Sequence, residues 1–273
     1  IYVLKKILIL GGSGFIGNCL YRELYPYFNL FGTYCSASRF SKQKNFFYYN
    51  LEDDNVLTVV KKVKPQLIIS CLRGPFEAQV ACHKDLVEYI QNFDCRLMFI
   101  SSTNVFDAFE HYPSYEFDKT LSESPYGRFK IKIENSLLNL APSKYVIARL
   151  PMVFGTNAPR TREIEAQVAS GTPIEVFPNT IVNVTSDRKL SQQIHYIINQ
   201  KLTGIFHLGS SDLITHFDFI KRIVSRRKLK GAVFKQIFTT NQMRYLVALP
   251  KENKLPPHLH VSYESILEDL YLP

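Results

Sequence analysis

Tyr126 and Lys130 stand four residues apart in Pro125-Tyr126-Gly127-Arg128-Phe129-Lys130. On a helix that spacing puts both side chains on one face. An ammonium beside a phenol favours the phenolate and draws the tyrosine below its ordinary pKa of about 10. Such a pair suits proton transfer near neutral pH. Upstream, Ser101-Ser102-Thr103-Asn104 clusters three hydroxyls, which serve equally well as a turn or helix cap or as donors to a ligand. A third group lies near the start, where Gly11, Gly14 and Gly17 fall at GxxGxxG spacing in Gly11-Gly12-Ser13-Gly14-Phe15-Ile16-Gly17. Glycine lets the backbone turn sharply and approach a ligand, and a helix beginning there offers unpaired amides to phosphate oxygens. The stretch is suited to holding a pyrophosphate.

These groups need elements to hold them. The apolar run 7–10 leads straight into the glycines, and Phe15, Ile16, Leu20 and Leu24 recur at helical spacing, which predicts a buried strand, a tight turn and a helix. Further strands are expected over 30–34, 46–50, 66–71, 96–101 and 145–149. Between them the pattern predicts helices over 54–64, 77–93 and from Pro125 to the break at Pro142. Strands alternating with helices imply a parallel sheet with right-handed crossovers, an α/β fold of Rossmann type, doubly wound. Ligands of such sheets lie beyond the carboxyl ends of the strands, here Gly11, Cys35, Asn50, Cys71 and Ser101. In dinucleotide folds an acidic residue after the second strand holds the ribose hydroxyls, whereas an Arg suits a 2′-phosphate. No Asp or Glu occurs between Glu23 and Glu52, while Arg39, Lys42 and Lys44 do, with Ser36 and Ser38 as added donors. NADP(H) is therefore expected in preference to NAD(H), which stays open.

The 273 residues suffice for a large core, and 46% hydrophobic and 21% charged residues are ordinary for an enzyme. No uncharged apolar run approaches a bilayer span and no signal peptide precedes the first strand, so a cytoplasmic protein with no membrane partner is expected. Five cysteines, odd in number and without a CxxC pair, point to reduced, buried thiols and to no metal site. The net charge of +9 suits an acidic partner. Its densest cluster, over 221–230, lies on a predicted helix and accompanies no nucleic-acid module, so a nucleotide ligand is expected and nucleic acid is not.

Glycine turn, hydroxyl-bearing strand end and Tyr126/Lys130 occur in an order that resembles the extended short-chain dehydrogenase/reductases, most closely the dTDP-4-dehydrorhamnose reductase group. The likeness rests on Gly11, Gly14 and Gly17, on Ile100-Ser101-Ser102-Thr103-Asn104-Val105-Phe106-Asp107, on Tyr115-Glu116-Phe117-Asp118, on Tyr126 to Lys130, and on Arg149-Leu150-Pro151-Met152-Val153-Phe154-Gly155. Gly204-Ile205-Phe206-His207-Leu208-Gly209 is a further familiar phrase. The resemblance implies reduction of a keto group on a nucleotide-activated sugar, in polysaccharide precursor synthesis. Tyr126 would be the proton donor, Lys130 would hold the nicotinamide ribose, and Ser102 would hydrogen-bond the carbonyl. It implies that Gly11, Ser13, Gly14, Phe15, Ile16, Gly17, Ser36, Arg39, Asn50, Leu51, Cys71 and Leu72 meet the cofactor, and that Thr103, Asn104 and Arg149 meet the substrate. Two departures stand out. Asn50-Leu51 replaces the usual Asp-Leu, and Cys71-Leu72-Arg73-Gly74 replaces a run of small residues. Dehydratases of the superfamily carry Thr-Asp-Glu where this chain has Ser102, Thr103 and Asn104, so dehydration is disfavoured. No Cys follows Cys95, which disfavours the Cys/His chemistry of fucose-type epimerase-reductases.

The resemblance divides the chain into an NADP-binding domain over 1–155 and a smaller C-terminal substrate-binding region over 156–273. In the latter, helices are expected over 161–170, 187–200, 216–230 and 263–270, strands over 174–177, 205–208 and 233–237, and a polar connection over 179–185. Arg160 and Arg162 could meet the substrate's phosphates. His207 reads as a core residue, and His258 and His260 as loop residues. Two alternatives stay open, an NAD-dependent epimerase and a non-catalytic NADP-binding regulatory subunit. A homodimer is compatible with the sequence.

Overall fold

A computed structural model describes residues 5–270. In chain order the first elements are β1 (Lys6–Leu10), α1 (Phe15–Leu24), β2 (Asn29–Tyr34), β3 (Phe46–Tyr48), α2 (Val56–Val63), β4 (Leu67–Ser70), α3 (Phe76–Asn92), β5 (Arg96–Ser102), α4 (Pro125–Leu138) and β6 (Tyr145–Leu150). They are followed by β7 (Met152–Phe154), α5 (Pro159–Ser170), β8 (Ile174–Val176), β9 (Thr180–Val182), β10 (Val184–Ser186), α6 (Asp187–Asn199) and β11 (Gly204–His207). The last are β12 (Ile214–Thr215), α7 (His216–Arg226), β13 (Phe234–Gln236), β14 (Arg244–Leu246) and α8 (Tyr263–Asp269).

Two compact units share the chain. One comprises the chain as far as Ser102 together with Ser124–Ala148 and Ile194–Phe206; the other comprises Thr103–Glu123, Arg149–Gln193 and the chain from His207 onward. The main sheet has the order β3-β2-β1-β4-β5-β6-β11. The pairs β1/β2, β2/β3, β1/β4 and β4/β5 are parallel. This is the Rossmann-type sheet the sequence predicts, with the order reversing at β1. Ile7 to Leu10 are fully buried, as a central strand covered on both faces must be. Val56, Val60, Leu86, Ile90, Phe129, Ile133 and Leu137 pack against the strand residues Leu8, Ile68, Leu97 and Ile147 in one core. Asn55 caps α2 by accepting from the Leu57 amide, and Lys64 ends the helix in a left-handed conformation.

The second unit has its own core, where Phe154, Val176, Phe219, Ile223, Ile266 and Leu267 meet. Its strands form small sheets, β7/β10, β12/β9/β14 and β8/β13. Here the structure corrects the sequence reading, because the polar connection over 179–185 holds two strands, β9 and β10. The polar residues are there to satisfy backbone. Asn183 Nδ2 donates to the Ala248 carbonyl at 2.9 Å, and Asn179 Nδ2 donates to the carbonyls of Thr240 and Gln242. The helix expected over 216–230 stops at Arg226, with Lys228 in a left-handed conformation beyond it. Among the described residues no helix is long and apolar enough to cross a membrane.

Candidate active site

β1 delivers the chain into Gly11, whose φ of 75° belongs to the left-handed region. A Cβ there would also sit 2.7 Å from the Cys71 carbonyl oxygen at the end of β4. The Gly11 amide donates to buried Thr33 Oγ1 at 2.8 Å, Ser13 N–H to the Thr33 carbonyl and Gly14 N–H to the Gly11 carbonyl. These bonds draw the turn down onto the ends of the strands. A Cβ at Gly17 would overlap the Gly11 carbonyl, so α1 can start this close to the turn only with glycine in its first turn. Gly14 is the N-cap, and no acidic residue occupies the first turn of α1. Helix geometry leaves the amides of Phe15, Ile16 and Gly17 without intrahelical acceptors. A side-chain-free cradle facing a helix N-terminus fits a dinucleotide pyrophosphate.

Beyond β2, Cys35, Ser36 and Arg39 are exposed. The Arg39 guanidinium lies 5.0 Å from the Phe40 ring centroid, which supports the cation while leaving it open to solvent. Beyond β3 the arrangement is different. Asn50 Nδ2 donates to Asp53 at 2.5 Å, its amide donates to Asp54 at 2.7 Å, and its Oδ1 accepts from the Glu52 amide. Asn50 therefore organises its own turn. Leu51 and Leu72 pack against the core of the first unit. The Cys71 amide donates to the Leu10 carbonyl, and burial pushes its thiol up to about 12.

α4 and β5 carry the chemistry-bearing side chains. Ser124 caps α4 by accepting from the Gly127 amide at 3.0 Å, and Pro125 fills the first turn. Tyr126 is 41% exposed. Its ring meets Phe76 and Phe129 edge-on at centroid distances of 6.1 and 5.4 Å, and those two stack on each other at 4.4 Å. Lys130 is buried. Its Nζ donates to the Ile100 carbonyl at 2.8 Å, and lies 4.6 Å from the Phe99 ring centroid and 5.8 Å from that of Tyr126. Burial lowers Lys130 to about 8, against the opposing pull of Cys71 and Glu134. Ser102, also buried, is the last residue of β5. The structure thus brings Tyr126, Lys130 and the strand end bearing Ser102 together in one unit.

Sequence reasoning missed Phe76, Glu134 and His83. Glu134, on α4, accepts from Ser101 Oγ at 2.5 Å. His83 Nδ1–H donates to the Gln79 carbonyl, and its Nε2 accepts from the Ser70 hydroxyl at 2.9 Å. For Glu134 the available signal was its spacing, four residues past Lys130. The other two had none, because each meets a side chain on another element, Phe129 on α4 for Phe76 and Ser70 on β4 for His83.

In the second unit, Thr103 and Asn104 lie half-buried in the short helical turn Thr103–Phe106. Arg149 is only 1% exposed. Its Nη1 donates to the Glu116 carbonyl at 2.9 Å and to His207 Nε2 at 3.3 Å, and the guanidinium sits 4.8 Å from the Phe106 ring centroid. In these contacts the guanidinium is held by residues of its own unit. His207 completes the same network, as its Nδ1–H donates to the Leu249 carbonyl. Burial, reinforced by Arg149, pushes His207 down to about 4. The Glu116 carboxylate accepts the amides of Lys251, Glu252 and Asn253. Burial opposes its charge, but its own backbone amide and those of Lys251 and Asn253 outweigh it and hold the group below the usual range. Arg160 and Arg162 are exposed at the start of α5, where Arg162 donates to Asn157. His260 donates to the Leu255 carbonyl. No group of three metal-binding side chains occurs among the described residues.

Comparison with known proteins adds four findings. The family model of the RmlD substrate binding domain matches residues 74–254. A dTDP-4-keto-6-deoxy-D-glucose reductase of Streptomyces niveus is 24% identical over 180 residues, a match spanning 61% of this chain and 62% of that protein. Among solved structures, the dTDP-4-dehydrorhamnose reductase of Bacillus anthracis in complex with NADP superposes with a TM-score of 0.78 at 20% identity, over 98% of this chain and 99% of that one. The UDP-glucose 4-epimerase of Thermotoga maritima, with UDP-glucose, gives a TM-score of 0.76 at 18% identity over 97% and 96%. At these identities the structural likeness shows the fold alone, and that fold serves reductases and epimerases alike.

Proposed function

The chain belongs to the family of the RmlD substrate binding domain, and from that membership we propose that it is an NADPH-dependent reductase of a keto group on a nucleotide-activated sugar. The observation that carries this reading is the Lys130 ammonium, buried 5.8 Å from the Tyr126 ring centroid, while Tyr126 itself stays open to a ligand. The glycine turn and the start of α1 would hold the pyrophosphate, and Arg39 the 2′-phosphate. Bound NADPH would supply the hydride that the carbonyl carbon accepts. Tyr126 gives its hydroxyl proton to the keto oxygen, Ser102 hydrogen-bonds that oxygen, and Lys130 stabilises the phenolate left behind. Cofactor binding is assigned to 1–155 and sugar-nucleotide binding to 156–273. The curated relative points to a dTDP-linked 4-keto-6-deoxyhexose as the first substrate to try.

Fluorescence titration with NADPH and NADH, followed by turnover assays on that substrate, tests the reading. Tighter binding of NADPH than of NADH is expected, and Tyr126→Phe should lower kcat by about 100-fold or more with NADPH affinity unchanged. Full activity in Tyr126→Phe would overturn the mechanism. NADPH binding without turnover on any keto sugar would favour a non-catalytic role.

A further inference from the structure

Tyr126, Lys130 and Glu134 follow one another at intervals of four residues along α4, forming a ladder on one face of the helix. Glu134 is 1% exposed. A buried carboxylate is costly unless hydrogen-bonded or paired, and Ser101 Oγ donates to it at 2.5 Å. Lys130 is buried too, its ammonium held by the Ile100 carbonyl and the Phe99 ring.

Two other titratable groups face the ammonium. Cys71, at the end of β4, shares with Glu134 the pull that raises Lys130, but burial pushes its own thiol up to about 12, whereas Glu134 is a carboxyl group. His83, on α3, is pushed down to about 4 by burial, with its Nδ1–H on the Gln79 carbonyl, and supplies no negative charge. Tyr126 is the group the ammonium is there to act on. On the reading that Tyr126 and Lys130 are the working pair, we propose that Glu134 is a positioning residue for them: its carboxylate, one helical turn past Lys130 and tethered by the Ser101 hydroxyl, is the buried counter-charge that keeps the ammonium charged and beside Tyr126.

Glu134 acts through Lys130 and touches no reacting atom. The test is therefore the titration of Lys130 itself, followed by NMR in protein carrying 13C at the lysine Cε, with the Lys130 signal identified by its loss in Lys130→Met. The expected wild-type midpoint is about 8. Glu134→Gln keeps the shape and removes the charge, and should lower the midpoint by about one pH unit or more. Glu134→Asp keeps the charge and should restore most of the difference; it also decides the question if the Gln variant does not fold, by showing a smaller fall in the same direction. An unchanged Lys130 midpoint in a folded variant, confirmed by circular dichroism, overturns the proposal, because a purely structural glutamate would not move it. The signal is read without substrate or cofactor. Absence of turnover on keto sugars would count against the reading of the site and leave this result standing, and an unmoved midpoint in an active enzyme would do the reverse.

Discussion

At Gly17 the helix backbone passes so close to the Gly11 carbonyl that a methyl group has no room. Backbone stands on both sides of the contact, so the overlap cannot be relieved by rotating a side chain. Gly17→Ala should therefore push α1 away from the turn, costing about 1–3 kcal/mol of stability and weakening NADPH binding about tenfold or more as the amides of the first turn leave their register. Gly171, at the end of α5, makes the useful comparison, since it has a φ of 70° and open space around its Cα. Gly171→Ala should cost about 1 kcal/mol from the left-handed conformation alone and leave cofactor affinity as it was. Paired urea melts and NADPH titrations on the two variants separate backbone strain from damage to the cradle. Equal NADPH affinity in both would mean that the turn does not hold the cofactor.

α4 shows how one element serves two purposes. Phe129, Ile133 and Leu137 point one stripe into the core, while Tyr126, Lys130 and Glu134, offset by a single residue, form the adjoining stripe. One residue turns the helix by about 100°, so the packing stripe fixes the direction of the chemical one. The start of the helix is set by Ser124 and Pro125, of which Pro125 was legible in the sequence. Ser124→Ala removes the bond to the Gly127 amide and should cost about 1 kcal/mol, seen as a lower urea midpoint with an unchanged slope. Because Tyr126 lies in that first turn, the same variant should lower kcat several-fold with little change in NADPH affinity. A fully active Ser124→Ala enzyme would show that core packing alone holds Tyr126 in place.

Across the whole molecule, three imidazoles, two buried and one half-buried, make stability depend on acid. His83 in the first unit, and His207 and His216 in the second, are each pushed down to about 4, chiefly by burial. The unfolded chain takes up these protons near 6.5. Between about 4 and 6.5 the unfolded state therefore binds more protons, and stability rises with pH there by up to about 1.4 kcal/mol per unit for each group. Their contribution is complete above about 6.5 and is lost as pH falls towards 4. Glu116, held below the usual carboxylate range, adds a further loss at lower pH. Urea unfolding at pH 7.5 and pH 5 should show a clear fall in stability; a flat profile across that window would mean that these imidazoles are solvated in the folded protein.

The run from Lys6 to Leu24, the start of α4 at Pro125 and the order of strands and helices through β6 could all be read from the sequence, because their signals are local: apolar period, glycine spacing, a proline ahead of a helical pattern. The spacing of Tyr126 and Lys130 was equally plain. The depth of Lys130 was not, because it depends on β5 lying beneath α4. Arg149 reads as a polar residue at a strand end until Glu116 and His207, 33 and 58 residues away in the chain, close over it. Asn50 looks available until Asp53 and Asp54 fold back onto it. The strands hidden in 179–185 take their pairing from β7, β12 and β14, elements distant in the chain. The sequence by itself determined which side chains share an element and a face. Only the tertiary structure decided which of them keep their charge exposed and which have it enclosed, since burial and desolvation are set by neighbours that no local pattern encodes.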